Sequence, residues 1–434
     1  MPEEFVGVIA LVLMLVLTMM RVPIFLSLAI PGILGVLYLR DWNVVVSALT
    51  TNIWDSSFQY TLSTLPMFIL MGAMLHASGI STELFAAFRS WFGRVKGGLG
   101  ISTVGASALF AAASGSSVAN TGTIGMMASK EMMNAGYSKV LTSGSIISGG
   151  TLGILIPPST FLIVYGTLTD QSIGQLLLAG ILPGILLAVS FAVTIYLTVV
   201  INPKLAPATE GGSWHERLVA LKSTGWILLM FMIVIGGMFF GLFGPTEAAG
   251  IGAFTAIILT VIKGKFTWKV LLNSVHSTAL TTGYIFAIVL AAFLFKYLLI
   301  ISKLPLMISS QLTEMNVPNW VLFLAIVLMY FALGAVMDTM GMIMVTIPVV
   351  IPIIQYMGLD LIWFGIVVCL LVELAMISPP QGVNCFILDS VSPELGLKNI
   401  WLGSLIFMIP IFFVIALLYV FPEIALFIPN RMLG

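Results

Sequence analysis

Apolar segments separated by short polar turns cover almost the whole chain. Because a helix needs about 20 residues to cross the ~30 Å hydrocarbon core, this pattern predicts an all-α polytopic membrane protein. The segments that predict ordinary spans lie near 5–20, 22–39, 65–79, 175–200, 225–243, 247–262, 275–301 and 400–421. Residues 41–60 and 80–96 mix Trp, Phe, Arg and Ser, which favours helices lying along the membrane surface.

Two pairs of shorter, Gly- and Ser-containing segments do not fit ordinary spans well. They lie near 98–113 with 117–134, and near 319–336 with 340–357. Each arm is at the lower limit for crossing, and the turn between the arms is too short and uncharged to sit comfortably in water. We predict two re-entrant helical hairpins, whose tips at Ser114–Thr121 and Met337–Gly341 reach the midplane inside protein or a water-filled cavity. Two ordinary spans with a tight turn remain the alternative.

Each pair is followed by a span that is interrupted by two prolines, near 138–166 and 361–388. Ser116 and Pro157 are separated by 41 positions, as are Asp338 and Pro379. The second set of motifs thus repeats the first at a distance of 222 residues. Paired helix breaks in two halves of a membrane protein indicate the binding site of a secondary transporter. The sequence therefore predicts two broken helices in an inverted repeat.

The basic residues predict the orientation of the chain. If the polar loop at 202–222 is cytoplasmic and each hairpin counts as no crossing, then 13 of the 17 Lys and Arg residues lie inside. Those predicted outside are Arg40, Lys296, Lys303 and Arg431. This is the expected positive-inside bias, and it places both termini outside. Five crossings separate the two broken spans, so we expect them to run in opposite directions.

A helix interrupted at the midplane offers two kinds of ion site. Free carbonyls at the end of its first piece suit a hard cation such as Na⁺, and free N–H groups at the start of its second piece suit a carboxylate. We predict one Na⁺ site per half, with a substrate pocket between the hairpin tips. The predicted Na⁺ ligands are Ser114, Gly115, Ser116, Gly149, Gly150, Thr151 and Gly153 in the first half, and Asp338, Thr339, Gly341, Ser378 and Gly382 in the second. The predicted substrate ligands are Ser116, Ser117, Asn120, Thr121, Ser159, Gln381 and Asn384.

Two carboxylates are candidate functional groups because a charge inside a membrane is costly. Asp338 lies in a predicted hairpin tip, so it is the strongest single candidate ligand. Glu373 lies in the span before Pro379, where a cation ligand, a proton site and a structural partner for a helix end all remain open. Because neither tip nor break contains Lys or Arg, an anionic substrate would depend on helix ends, hydroxyls, amides and bound Na⁺.

Composition excludes several other classes of protein. The chain of 434 residues is 60% hydrophobic and only 8% charged, and its formal net charge of zero argues against a nucleic-acid partner. Cys369 and Cys385 lie in apolar stretches, so we expect no disulfide or metal role. His76, His215 and His276 have no catalytic or metal-ligating residue at a characteristic spacing, so we expect structural or interfacial roles for them. The chain has no HExxH motif, and Ser116 has no evident His base, which argues against an enzyme. A channel would more naturally show a charged ring or a carbonyl filter.

Three segments resemble a known family. They are Ala112–Thr121, Gly149–Ser159 and Ile377–Asn384, and they are similar to motifs in the large membrane subunit (DctM-like, or M subunit) of tripartite ATP-independent periplasmic (TRAP) transporters. The resemblance runs over essentially the whole chain. With no small-subunit region before Met1, it leads us to expect the unfused form.

The resemblance implies Na⁺-coupled uptake of an organic acid, such as a C4-dicarboxylate, sialic acid or a related sugar acid, in the bacterial inner membrane. It implies two partners, a small four-helix membrane subunit (Q) and a periplasmic substrate-binding protein (P). A stand-alone Na⁺/dicarboxylate symporter of related fold is the alternative.

The resemblance also implies an elevator-type fold, in which a transport domain slides past a fixed scaffold. The resulting divisions are scaffold and first arm helix at 1–97, transport domain at 98–170, connecting and scaffold helices with the second arm at 171–317, transport domain at 318–390, and C-terminal helix at 391–434. The arms would be the interfacial helices at 80–96 and 302–316.

Overall fold

The computed structural model describes residues 2–57, 59–209, 211–315, 317–334, 337–380 and 382–432. Within these ranges the chain is helical and contains no strand. The helices of the N-terminal half are α1 (Glu3–Met19), α2 (Ile24–Leu39), α3 (Trp42–Ser57), α4 (Thr64–Ala77), α5 (Ile80–Phe92), α6 (Gly98–Ser114), α7 (Ser117–Asn134), α8 (Lys139–Thr151), α9 (Thr160–Thr169), α10 (Ile173–Ala179) and α11 (Ile181–Ile201).

The C-terminal half repeats much of this order. Its helices are α12 (Trp214–Phe231), α13 (Gly237–Phe239), α14 (Pro245–Ile262), α15 (Trp268–Ile301), α16 (Leu304–Met315), α17 (Asn319–Leu333), α18 (Thr339–Tyr356), α19 (Leu361–Ile377), α20 (Val383–Val391), α21 (Leu397–Val420) and α22 (Glu423–Leu426). One π-helical turn, Met232–Gly236, joins α12 to α13.

Seven helical segments in the described part of the chain are long and apolar enough to cross a membrane. They are Tyr60–Ala77, Ile173–Ile201, Trp214–Phe239, Pro245–Ile262, Trp268–Ile301, Thr339–Tyr356 and Leu397–Val420. Further apolar helices, among them α2, α6, α17 and α19, have 15 to 17 residues. The predicted all-α polytopic fold is confirmed.

The predicted repeat is visible in the helix bounds. Adding 222 to the bounds of α7 gives those of α18, and the same shift takes the start of α8 to the start of α19 and the end of α9 to the end of α20. The two arm helices, α5 and α16, also correspond. One difference is that α19 continues to Ile377, whereas α8 stops at Thr151, because α8 ends in Gly149-Gly150 and α19 has large apolar residues at the matching positions.

Two helices of the C-terminal half begin earlier than their hydropathy predicts. The α12 helix begins at Trp214 instead of 225, because Ser213 and Glu216 form a capping box before the apolar residues. The α15 helix begins at Trp268 instead of 275, where the Thr267 hydroxyl accepts the Val270 N–H at 3.1 Å. Capping residues therefore extend both helices beyond their apolar stretches.

The α5 helix, a predicted arm, forms ion pairs with two different parts of the molecule. Glu83 pairs with Lys263 at the end of α14, and Arg89 pairs with Glu131 of α7 at 2.6 Å. Arg89 and Glu131 are about half exposed, so this pair adds little stability. These contacts place α5 between α14 and the first hairpin.

Candidate functional site

The tip of the first hairpin is a two-residue turn. The α6 helix ends at Ser114, and Gly115 adopts φ 58°, a left-handed conformation that favours glycine. Ser116 then caps α7, since its Oγ accepts the Ala119 N–H at 3.4 Å. The tip thus brings the C-terminal end of one helix next to the N-terminal end of another.

This tip lies directly against the break between α8 and α9. A Cβ added to Gly153 would be 2.6 Å from the carbonyl oxygen of Ser116, and one added to Gly115 would be 2.8 Å from that of Pro158. The Thr160 hydroxyl donates to the Gly115 carbonyl at 3.1 Å. The close backbone approach requires glycine on both sides.

Behind the tip lies a cluster of buried oxygens without partners. The amide of Asn120 donates to the carbonyls of Ser107 and Gly149, at 3.1 and 3.2 Å. Its Oδ1, together with the hydroxyl oxygens of Ser107 and Thr121, has no hydrogen-bond partner. A Cβ added to Gly150 would lie 1.9 Å from the Thr121 hydroxyl, so the helix break and the hydroxyl are in contact. Buried hydroxyl and amide oxygens without hydrogen-bond partners fit a hard cation better than an apolar core.

The break itself runs from Leu152 to Ser159, and its Pro157-Pro158 peptide is cis. The Ser159 hydroxyl donates to the Ile154 carbonyl at 2.5 Å and accepts the Leu162 N–H at 3.2 Å. Ser159 therefore acts as a fully buried cap for α9, and it does not line the cavity described below.

In the second half, Asp338 occupies the position that Ser116 has in the first. Its Oδ1 accepts the Gly341 N–H at 3.1 Å and caps α18. Thr339 begins that helix. The second break is formed by Ser378 and a cis Pro379-Pro380 peptide, and Gly382 follows with φ 29° next to Trp401. Gln381 lies outside the described residues.

A cavity of about 840 Å³ lies between the first tip and the helices α4 and α15. Its polar wall combines residues of the hairpin and break with residues of the scaffold: Ser114, Ser116, Thr123, Thr160, His76, Asn273, Ser274, Ser277, Thr281 and Tyr284. Met340, next to Asp338 on the second tip, also lines it. Among the described residues of this wall, none is Lys, Arg, Asp or Glu.

The predicted ligands thus differ in whether they line the cavity. Ser114 and Ser116 line the cavity. Most of the others are buried behind it and do not appear in its wall: Ser117, Asn120, Thr121, Gly149, Gly150, Thr151, Gly153, Ser159, Ser378 and Asn384. Gly115 lies buried within the tip itself, and Asp338, Thr339 and Gly341 surround Met340 at the second tip.

The sequence did not lead us to expect that α15 and α4 line the cavity. Asn273, Ser277, Thr281 and Tyr284 follow one another at intervals of four, four and three residues, which places them on one face of α15. His76 of α4, which we expected to be structural or interfacial, lines the cavity, and its Nδ1 lies 3.3 Å from the Thr123 hydroxyl of α7. A polar stripe along an apolar helix of 34 residues is the signal that could have identified this wall.

The sequence matches the family described as "Tripartite ATP-independent periplasmic transporter, DctM component" over residues 11–424. The chain belongs to this family. It is therefore a transporter permease and not an enzyme, and it is a multi-pass protein of the inner membrane. The resemblance inferred from the three motifs is confirmed.

Relatives with assigned substrates cover nearly the whole chain. The C4-dicarboxylate TRAP transporter large permease protein DctM of Pseudomonas aeruginosa is 33% identical over 93% of this chain and 94% of its own length. The sialic acid TRAP transporter permease protein SiaT of Haemophilus influenzae is 30% identical over 98% of this chain and 68% of its own. The ectoine TRAP transporter large permease protein TeaC of Halomonas elongata is 30% identical over 96% and 97%.

A solved structure supports the fold alone. The YdaH transporter of Alcanivorax borkumensis superposes with a TM-score of 0.60 over 88% of this chain and 89% of that chain, at 14% sequence identity.

Proposed function

We propose that the chain carries an organic acid into the cell by Na⁺-coupled secondary transport. The observation that supports this most strongly is the cavity wall, which offers hydroxyls, an amide and the N-terminal end of α7, but no Lys or Arg among its described residues. A carboxylate needs positive charge nearby. Bound Na⁺ beside the helix ends supplies that charge, so ion and substrate bind together.

We place the first Na⁺ site behind the first tip. The partnerless oxygens of Ser107, Asn120 and Thr121 lie beside Gly149 and Gly150 at the end of α8. Asn120 and Thr121 were predicted to bind substrate, but they are fully buried away from the cavity, and their chemistry suits the ion instead. The second site combines Asp338, Thr339 and Gly341 with Ser378 and Gly382.

We further propose that the cavity faces the cytoplasm in this structure. Its wall follows α15 toward the end where that helix begins, next to Lys263, Lys265 and Lys269. Under the positive-inside rule this end is cytoplasmic, and both chain termini are periplasmic. A slide of the hairpins and broken helices past α4 and α15 would open the same cavity outward, as an elevator mechanism requires.

We propose that the substrate reaches the carrier through a periplasmic binding protein, and that a small membrane subunit completes the scaffold. Names of relatives include C4-dicarboxylate and sialic acid transporters, so organic acids of these classes are the first substrates to test. A stand-alone symporter is the second candidate. Co-purification of a small four-helix subunit with the chain would support the tripartite form, and full uptake without any partner would support the symporter.

The function is tested by uptake into proteoliposomes that contain the chain and its partners. With an inward Na⁺ gradient, the binding protein and no ATP, substrate should accumulate above its external concentration. With choline in place of Na⁺, uptake should fall to the level of empty liposomes. Equal uptake in choline would show that the carrier does not use Na⁺.

A further inference from the structure

Glu373 is the buried acidic group that the proposed Na⁺ sites leave unused. Its side chain has no exposed surface, and neither carboxyl oxygen has a hydrogen-bond partner. None of the ion pairs among the described residues includes it. An isolated carboxylate in such a place is costly, so the group needs either a proton or a bound cation.

The surroundings of Glu373 come from both halves of the repeat. Ser117, the first residue of α7, lies close to the carboxyl but forms no hydrogen bond with it. Cys369, one turn earlier on α19, donates its thiol to the Ile154 carbonyl in the first break at 3.3 Å. Glu373 of the second half therefore lies close to the tip of the first hairpin. The matching position in the first half is Thr151, so the carboxylate occurs in one half only.

Asn384 supplies a second group without a partner. Both polar atoms of its side chain are buried and unbonded. The α20 helix runs alongside α7 in the same direction. A Cβ on Gly122 would be 3.6 Å from Ile387, and a Cβ on Gly125 would be 3.2 Å from Leu388. Further along both helices, the hydroxyls of Ser129 and Ser392 are 2.7 Å apart. This register places Asn384 level with Ala119–Thr121, about one turn after Ser117.

We propose that Glu373, Asn384 and Ser117 form a further Na⁺ site between the two halves, in addition to the two sites proposed above. A carboxylate, an amide oxygen and a hydroxyl are hard oxygen ligands that suit a small cation. The ion neutralises Glu373 and joins α7 to α19 and α20, so the two halves of the transport domain move as one body. This inference rests on the proposed Na⁺ coupling of the carrier.

The test compares wild-type protein, purified with its membrane partner, with Glu373→Gln. The variant keeps the volume and removes the charge that needs compensation. In choline chloride Glu373→Gln should unfold at a higher temperature than wild type, because wild type then contains a bare carboxylate. In NaCl the wild type should gain more stability than the variant, because it has one more ion to bind. In uptake, the Hill coefficient for Na⁺ should be lower for Glu373→Gln.

A second variant tests the same site independently of Glu373→Gln. Asn384→Ala keeps the charge and removes one ligand, so the Na⁺ concentration for half-maximal stabilisation should rise by about tenfold or more. Asp338→Asn, which removes a carboxylate at the tip, is the control and should leave the contribution of the Glu373 site in place. Equal Na⁺ responses of wild type, Glu373→Gln and Asn384→Ala would overturn the inference and indicate a protonated Glu373. Na⁺-independent uptake by wild type would instead contradict the proposed function.

Discussion

Gly153→Ala is expected to abolish uptake although it adds a single methyl group. That methyl would lie 2.6 Å from the backbone of Ser116, and backbone at a hairpin tip cannot yield as a flexible side chain can. The tip would move away from the break, and the partnerless oxygens behind the tip would no longer converge on one ion. Displacements of about 1 Å at such sites cost on the order of 100-fold in rate.

The matched control is Gly250→Ala in α14, where an added Cβ meets nothing within 4 Å. This variant should transport at the wild-type rate. Both variants should be compared for initial uptake rate and for elution as a single folded species in detergent. Normal uptake by Gly153→Ala would mean that the tip and the break are not held together during transport.

Asp338→Ala is expected to stop Na⁺-dependent uptake. The substitution removes both the cap of α18 and the carboxylate that we assign to the second Na⁺ site. Loss of a cap alone costs about 1 kcal/mol, which a folded membrane protein tolerates. Asp338→Asn separates the two effects, because Asn also caps helices well but carries no charge. It should keep the thermal stability and lose most of the uptake.

Asp360→Ala is the control for capping. Asp360 accepts the N–H groups of Ile362 and Trp363 at the start of α19, away from the tip. Its removal should lower stability by about 1 kcal/mol and leave Na⁺-dependent uptake intact. Wild-type uptake by Asp338→Asn would show that the carboxylate is not an ion ligand.

The helices of the two hairpins and the two broken segments were predictable because their signals are local. Gly115 and the Pro157-Pro158 pair interrupt helices wherever they occur, and the constant offset between the halves transfers each bound from one half to the other. Scaffold helix starts were less predictable. Ser213 and Thr267 cap α12 and α15 ahead of their apolar residues, and a hydropathy average does not respond to a single cap.

The site was only partly predictable, because a motif does not show which way each side chain points. Asn120 and Thr121 belong to the same motif as Ser116, yet they face the interior while Ser116 faces the cavity. Asn273 and Ser277 belong to a span that pattern alone assigns to a passive scaffold. Their role in the wall follows from the packing of α15 against α4 and α18, which requires contacts between residues far apart in sequence.

In the proposed mechanism, the hairpins slide past α4 and α15, and this movement changes the side of the membrane to which the cavity opens. His76 of α4 and Thr123 of α7 lie on opposite sides of that boundary, with 3.3 Å between Nδ1 and Oγ1. A disulfide or Hg²⁺ bridge in the double variant His76→Cys with Thr123→Cys would fix the boundary in this state. The native Cys369 and Cys385 are buried, so they should not compete for the reagent.

The control bridge joins Ser129→Cys with Ser392→Cys, whose hydroxyls are 2.7 Å apart and which belong to parts that should move together. The measurement is the initial rate of Na⁺-driven uptake before crosslinking, after crosslinking and after reduction. We expect the bridge between positions 76 and 123 to stop uptake, reduction to restore it, and the control bridge to leave it unchanged. Unchanged uptake with positions 76 and 123 fully crosslinked would contradict the sliding movement and favour local gates around a fixed cavity.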